Sequence, residues 1–414
     1  MENDSLTVNV FLWGTCIGRL KWLRDKQLSA FQFTDEYFAL PYDVCPMTHR
    51  KSSALSSFYG KTGELYQGLP EFLSDALPDK WGSTLFDKWL SDNRISAAMS
   101  TPLLKLSYIG KRAMGAFEFV PEYCEEIDAT VDISSLSDLA ARIYRDREGA
   151  TARDGDSLTM KKLIYLGTSA GGMRPKAVVS YNPRTGEFRS GQVALPEGFK
   201  HYIIKFKEDR ESPTSEIEMV YYEMAKAAGI EMMPCFLKNV EGVNHFMTER
   251  FDRRGGEKIL TQTLAAMMPW ATDYMKLCWL SDRLNLPKED RDQIFLRMVF
   301  NFVAGVSDDH NKNISFTMDR DGVWRLSPAY DMMFTANVWE NSSAYIHSTG
   351  VMGKRSSLTR EDFLDFAEDF VDNPQEKIDK VLSAVSRFGA FCDNYGVEQG
   401  VKSKIQSVLD TLNV

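Results

Sequence analysis

The stretch Asn301-Phe-Val-Ala-Gly-Val-Ser-Asp-Asp-His-Asn-Lys-Asn-Ile-Ser-Phe316 sets the reading of the whole chain. Ahead of and into it, Ile294, Met298, Val299, Phe302 and Val303 recur at helical spacing. A buried amphipathic helix is therefore predicted to deliver a dense polar loop to a fixed place. In that loop Asp308 and Asn313 stand five residues apart. A solvated turn is the rival reading, because a lone Asp-x4-Asn arises readily by chance.

Downstream lies Val323-Trp-Arg-Leu-Ser-Pro-Ala-Tyr-Asp331, an alternating strand that follows the turn Asp319-Arg-Asp-Gly322. Phosphoryl transfer on a kinase scaffold asks for this order. A loop Asp orients the attacking hydroxyl and takes its proton, an Asn five residues on holds Mg²⁺, and a second carboxylate follows a short hairpin. Asp309 rivals Asp308 as the base, and the five-residue interval favours Asp308. For Asp331 the alternative is a helix N-cap.

Three further features lie upstream. Leu166-Gly-Thr-Ser-Ala-Gly-Gly-Met-Arg-Pro-Lys176 brings Gly167, Gly171 and Gly172 to a turn before a β-branched strand, where backbone N–H groups can approach a phosphate closely. It is neither a Walker A loop nor G-x-G-x-x-G, and a plain hairpin turn would produce it too. In His201-Tyr-Ile-Ile-Lys-Phe-Lys207, alternation sets Ile203, Lys205 and Lys207 on one face and Ile204 and Phe206 on the other. Lys205 can thus be aimed at phosphate oxygens, unless this is a solvated edge strand. Glu218, in a helix predicted over Ser215–Ala228 and stopped by Gly229, suits the glutamate that pairs with such a lysine. Ser215 and Glu218 also spell a capping box, which would explain Glu218 without catalysis.

Composition agrees with a globular protein, at 43% apolar and 26% charged residues. The balance of 49 basic against 58 acidic residues gives a net charge of −9, which opposes broad attraction to a nucleic-acid backbone. The six cysteines show no metal-finger spacing and read as reduced thiols. Glu2 and Asp4 sit where a signal peptide needs basic residues, and no run reaches membrane-spanning length, so a cytoplasmic, membrane-free location is expected. The five histidines lack zinc spacing, and His310 reads as a hydrogen-bonding member of its loop. Leu260 to Trp279, rich in Met and aromatic residues, reads as core. No G-x-S-x-G elbow supports a hydrolase.

Thr7 to Phe33 alternates short apolar runs with turns, as in a small antiparallel sheet. A helix-like run to Leu90 carries Leu85, Phe86, Trp89 and Leu90 on one face. A second group of strands is expected from about Leu163 to Phe251, and mainly helices beyond. The polar stretch between Cys124 and Ser157, apart from a helical patch at Leu136 to Ile143, marks a boundary.

At these residues the chain resembles the HipA-like kinases, the toxin components of bacterial HipBA toxin–antitoxin modules. The resemblance covers nearly the whole chain, from Leu77-Pro-Asp-Lys-Trp-Gly82 to at least Met333. It is carried by Ser169-Ala-Gly-Gly-Met-Arg-Pro-Lys176, Ile203-Ile-Lys205, Glu218 with Ala225-Lys-Ala-Ala-Gly-Ile230, Glu249-Arg-Phe-Asp-Arg253, Asp308-Asp-His-Asn-Lys-Asn313 and Ser327-Pro-Ala-Tyr-Asp331.

The resemblance implies an α+β, protein-kinase-like two-lobed fold. Its parts would be a β-rich N-terminal subdomain (1–125), an N-lobe with the glycine-rich loop (126–252) and a helical C-lobe (253–414). It implies ATP and Mg²⁺ as cofactors, Asp308 as base, and Asn313 and Asp331 as Mg²⁺ ligands. The nucleotide would meet Lys205, Glu218, Ser169, Gly171 and Gly172, with Met247, Glu249 and Phe251 in the adenine hinge. Ser169 matches a self-phosphorylated loop serine. Implied partners are a helix-turn-helix antitoxin of the HipB kind, operator DNA through it, and a translation component such as an aminoacyl-tRNA synthetase as acceptor.

The loop departs from the family's usual Ala-Gln-Glu-Lys in reading Met173-Arg-Pro-Lys176, where Pro175 removes an N–H and Arg174 adds a cation. Two other functions stay open, a small-molecule or lipid kinase on the same scaffold and an inactive pseudokinase serving as co-repressor.

Overall fold

The computed structural model describes residues 6–51, 56–124, 130–145, 157–169, 171–191, 195–335 and 346–412. Of the features read above, Glu2, Asp4, Ala170 and much of the polar stretch around Leu136–Ile143 lie outside the described residues. The chain groups into two compact units. The first comprises Met1–Arg210, Asn239–Gln262 and Met318–Gly322, and the second Glu211–Lys238, Thr263–Thr317 and Val323–Val414.

The first unit opens with the expected antiparallel sheet, in which Ser57–Tyr59, Leu28–Phe33, Thr15–Leu23, Thr7–Leu12 and Phe117–Val120 lie side by side in that order. Alternation buries Val8, Val10 and Leu12 completely. Helix Lys80–Asp92 follows with Leu85, Phe86 and Leu90 buried, as its periodicity predicts. A Cβ on its Gly82 would lie 2.3 Å from the Thr168 carbonyl oxygen, so only glycine lets this helix approach the glycine-rich loop.

The second sheet of this unit begins later than expected. Ser157–Gly167 is a helix, and its buried Leu163, Ile164, Tyr165 and Leu166 belong to that helix rather than to a strand. A four-residue apolar run has no period of its own, so sequence alone assigned it to the wrong element. The glycine cluster is therefore a helix-to-strand connection and not a hairpin turn. Strands Phe188–Ser190, Lys176–Tyr181, Lys200–Lys205 and Val243–Glu249 then lie in that order. Lys200–Lys205 is an inner strand, which removes the edge-strand reading of Lys205. Tyr202, Ile204 and Phe206 are buried, and Ile203, Lys205 and Lys207 alternate with them.

The second unit is mainly helical. Helix Thr214–Ala227 ends in a left-handed Gly229 (φ +84), with Ile230 N–H reaching back to the Ala225 carbonyl. Lys288–Val303 is its central helix, and all five stripe residues are buried. Strands Ser315–Met318 and Trp324–Leu326 follow in sequence, and the turn between them, in which Gly322 N–H donates to Asp319 C=O at 3.1 Å, is grouped with the first unit. The Leu260–Trp279 stretch divides: Leu264, Ala265, Met267 and Leu277 are core, whereas Trp270, Met275 and Trp279 are exposed. Among the described residues no helix is long and apolar enough to cross a membrane.

Candidate functional site

In the second unit, helix Lys288–Val303 ends at Ala304, and Gly305 (φ +67) turns the chain into the loop bearing Asp308. Thr335 Oγ1 holds the start of that loop by accepting from the N–H groups of Ser307 (2.8 Å) and Asp308 (3.0 Å). Asn313 donates from Nδ2 to the Asp308 carbonyl at 2.9 Å, which closes the five-residue interval into a compact loop. His310 acts locally, its Nδ1 accepting from Lys312 N–H at 3.2 Å. Its Nε2 lies 3.7 Å from Asp308 Oδ1.

Neighbouring aspartates have opposite fates. The Asp308 side chain is 61% exposed, whereas that of Asp309 is 1% exposed. Asp309 Oδ1 accepts from Ser348 N–H (2.8 Å) and Thr349 N–H (3.1 Å), and Oδ2 lies 3.0 Å from His347 Nδ1. A carboxylate so saturated has no free lone pair facing solvent for a substrate proton. Asp308 keeps its carboxylate open. Partial desolvation raises its pKa above the usual range, His310 opposes this, and the carboxylates of Asp331 and Asp309 add to it. A raised carboxylate is a better base near neutral pH.

Asp331 sits in a left-handed backbone conformation (φ +55), and residues 331–335 form no helix, so the N-cap reading does not hold. Its strand is fixed from behind. Buried Asp290 receives Arg325 at 2.9 and 2.8 Å and Leu326 N–H at 2.8 Å, and Arg297 Nη2 donates to Ser327 C=O at 2.7 Å. Tyr330 ties the two loops together, donating to Lys312 C=O at 2.8 Å and meeting Ser315 Oγ at 2.5 Å. Asp308, Asn313 and Asp331 line one small cavity of about 40 Å³, with Arg297, Asn301 and Tyr274 behind them.

These are hard oxygen donors. Among the described residues no three His, Cys, Asp or Glu side chains cluster into a metal cage. Mg²⁺ rarely uses one, taking one or two carboxylates with the remaining ligands from phosphate and water, so the set fits it.

Glu218, also in this unit, is buried. Its helix starts at Thr214 after Pro213 with no side-chain cap, so Ser215 lies inside the helix and the capping box is not formed.

The first unit holds the other predicted residues. Gly172 (φ +101) donates its N–H to Asp79 Oδ2 at 2.6 Å, and Trp81 Nε1 donates to Lys176 C=O at 2.9 Å. The Leu-Pro-Asp-Lys-Trp-Gly82 segment thereby pins the glycine-rich loop, next to Gly171. Ser169 is buried, as is Thr168, whose hydroxyl donates to the Ile164 carbonyl. Register sets Lys205 opposite Lys176 on one side and Phe246 on the other. Two lysines so paired concentrate positive charge on one face of the sheet. Sequence reading missed Lys176, and the sheet register is the signal that finds it; a Cβ on Gly172 would lie 2.3 Å from its Nζ.

Met247 is buried opposite Ile204, and Glu249 pairs with Lys200 at 2.9 Å. Phe251 is half-buried in the following turn. The charged residues flanking Phe251 serve the fold. Asp252 accepts from Arg250 Nε (2.8 Å) and Nη2 (2.7 Å), Arg253 Nη1 (2.9 Å) and Gly115 N–H (2.7 Å).

Comparison with known proteins accounts for both parts of the chain. Residues 8–120 match the model of the HipA N-terminal domain, and residues 168–390 match that of the HipA-like C-terminal domain. Among solved structures, HipA of the Shewanella oneidensis MR-1 toxin–antitoxin system, in a complex with HipB and operator DNA, aligns with a TM-score of 0.67. That alignment covers 98% of this chain and 95% of that one at 16% identity. The Helicobacter pylori proinflammatory kinase CtkA aligns over 51% of this chain and 86% of its own at 13% identity, with a TM-score of 0.37. No curated protein gives a significant match. The mixed α and β fold is that of HipA, and since the C-terminal domain model alone spans more than half of its residues, the chain belongs to the HipA-like family.

Proposed function

We propose that this protein is an ATP- and Mg²⁺-dependent serine/threonine protein kinase acting as the toxin of a toxin–antitoxin pair. The observation that carries this reading is the loop that turns Asp308 outward with a raised pKa while Asn313 and Asp331 line the same cavity. Asp308 accepts the proton of the acceptor hydroxyl as its oxygen attacks the γ-phosphorus of ATP and the bond to ADP breaks. Asn313 and Asp331 would hold Mg²⁺, which would supply charge neutralisation on the phosphoryl oxygens when bound. Lys205, with Lys176 beside it, receives the phosphates together with Gly171 and Gly172. Glu218 is assigned the part of the helix glutamate of a kinase scaffold, and Met247, Glu249 and Phe251 that of the adenine hinge.

Ser169 is the self-phosphorylation site in this reading. Its burial requires the loop to leave before modification, and two added negative charges would then oppose its return to a phosphate-binding position. The partner is a HipB-like antitoxin, as HipB accompanies HipA in the Shewanella oneidensis complex with operator DNA, and this chain would reach operator DNA through it. The net charge of −9 suits DNA contact made by a partner rather than by this chain. Six free cysteines support a cytoplasmic setting, where a translation component such as an aminoacyl-tRNA synthetase is the acceptor.

The test is incubation of the purified protein with labelled ATP, with and without Mg²⁺, beside Asp308→Asn. Mg²⁺-dependent incorporation that vanishes in the variant supports the reading. Wild type that neither binds nor turns over Mg-ATP would point to a pseudokinase. Phosphoproteomics after brief expression identifies the acceptor, and labelled metabolites or lipids in place of proteins would transfer the proposal to a small-molecule kinase.

A further inference from the structure

We infer that Asp309 and His347 are a positioning pair that seats the chain returning after Asp331 on the catalytic loop and so fixes the acceptor side of the reaction; this rests on the kinase reading above.

The contact is saturated on both partners. Beyond the three donors to its carboxylate, the backbone carbonyl of Asp309 accepts from Thr349 Oγ1 at 2.5 Å. Ser348 adds an N–H bond to the Ser307 carbonyl at 3.1 Å and a hydroxyl bond to the same oxygen at 3.3 Å. The His347 ring stacks on Phe302 of the central helix, with centroids 3.7 Å apart and planes 15° from parallel. Its side chain is 2% exposed, and its backbone N–H donates to Arg355 C=O at 2.9 Å. Residues 347–349 thus grip the backbone on both sides of Asp308 and leave its carboxylate uncovered.

A second tie holds the same segment at its other end. Tyr274 N–H donates to Gly350 C=O at 2.8 Å, Gly350 N–H to Thr272 C=O at 2.9 Å, and Gly353 N–H to Asp273 Oδ2 at 2.8 Å. The stretch from His347 to Gly353, anchored twice beside the base, is a rigid ledge. The strand that leads to Asp331 has a separate set of anchors, made by Asp290 and Arg297. Loosening the Asp309–His347 pair therefore displaces Asp308 while leaving the Asp331 hairpin in place. The defect should appear in transfer to the acceptor and not in nucleotide affinity, because a shift of about 1 Å in a reacting group is worth roughly a hundredfold in rate.

The test uses the full-length protein, Mg-ATP calorimetry, and kinetics on a degenerate serine/threonine peptide library. His347→Ala should lower kcat by about ten- to a hundredfold while the Mg-ATP Kd stays within about twofold. His347→Asn, whose amide N–H falls where Nδ1 lies, should recover most of that loss. The milder Thr349→Val removes one donor at nearly constant volume and should shift kcat the same way by a few-fold if His347→Ala fails to fold. Hydrogen exchange at the Ser348 and Thr349 amides should quicken in His347→Ala and slow again in His347→Asn. An active wild type with unchanged kcat in His347→Ala, or with Mg-ATP affinity falling in step with kcat, or with Asn no better than Ala, overturns the pair alone. A wild type that neither binds Mg-ATP nor phosphorylates overturns the kinase reading and this inference with it.

Discussion

Arg250, Asp252 and Arg253 in the first unit and Asp308, Asn313 and Asp331 in the second are both short, polar constellations, and they are built in opposite ways. The Arg250 side chain is fully buried, Asp252 is 2% exposed and Arg253 is 7% exposed. Burial would raise the Asp252 carboxyl, but Arg250 and Arg253 outweigh it and hold the group far below the ordinary range. Asp308 and Asp331 are exposed, and the Asp308 carboxyl is pushed up by partial desolvation, to which the neighbouring Asp331 carboxylate adds. A carboxylate buried among arginines holds a fold, whereas carboxylates kept at the surface beside one another are open to a ligand. Both runs sit in strings shared with the HipA-like family, so the shared string alone does not say which kind a residue is.

The comparison breaks most sharply at the second cluster. Asp308→Asn should reduce phosphoryl transfer by about a thousandfold or more, with Mg-ATP affinity and Tm nearly unchanged. Asp331→Ala should lose both transfer and Mg²⁺-dependent ATP binding, read by calorimetry with and without the metal. Asp309→Asn should be far milder than Asp308→Asn, and the reverse ranking would hand the base role to Asp309.

The first cluster should respond in the other currency, that of stability. Asp252→Ala leaves Arg250 and Arg253 buried without their carboxylate and also strips the Gly115 N–H of its acceptor. Breaking a buried pair from one side costs about 3–5 kcal/mol. A denaturant midpoint that falls accordingly would sharpen the contrast. An Asp252→Ala protein with wild-type stability but no activity would erase it.

Much of this was legible where one period dominates. The stripe from Ile294 to Val303 placed the central helix, and the alternation from Tyr202 to Lys207 fixed both faces of the lysine strand. Legibility failed where burial is set by chain far away in sequence. Asp308 and Asp309 are the same residue at adjacent positions, and only residues 347–349 decide which of them is buried. Spacing favoured Asp308, and it carries no sign that Asp308 is the exposed one of the two. Lys176 stayed hidden because its neighbour Lys205 is set by sheet register, and the helix Ser157–Gly167 because its apolar run is too short to show a phase. The Ser215–Glu218 capping box misled because the helix starts one residue earlier, at Thr214.

The smallest effect concerns a carboxylate between the two extremes. Glu71 is buried, but its partners are wetter: Lys61 at 2.7 Å is 44% exposed and His49 at 3.2 Å is 21% exposed. Burial raises the Glu71 carboxyl, and the hydrogen bonds from His49 and Lys61 more than offset this, bringing it down to about 2. A carboxyl depressed in the folded state contributes stability above its unfolded pKa and loses it as pH falls through the folded value. Wild type should therefore exceed Glu71→Gln in stability by about 1–2 kcal/mol at pH 6, less than the full shift implies because Lys61 is solvent-screened. The difference should shrink from about pH 4.5 downward and vanish near pH 2, with other acid-titrating groups cancelling between the two proteins. Chemical denaturation of both at half-unit pH steps measures it. A difference independent of pH would mean that Glu71 contributes by packing and not by charge, and would move it out of the series that Asp252 and Asp308 bound.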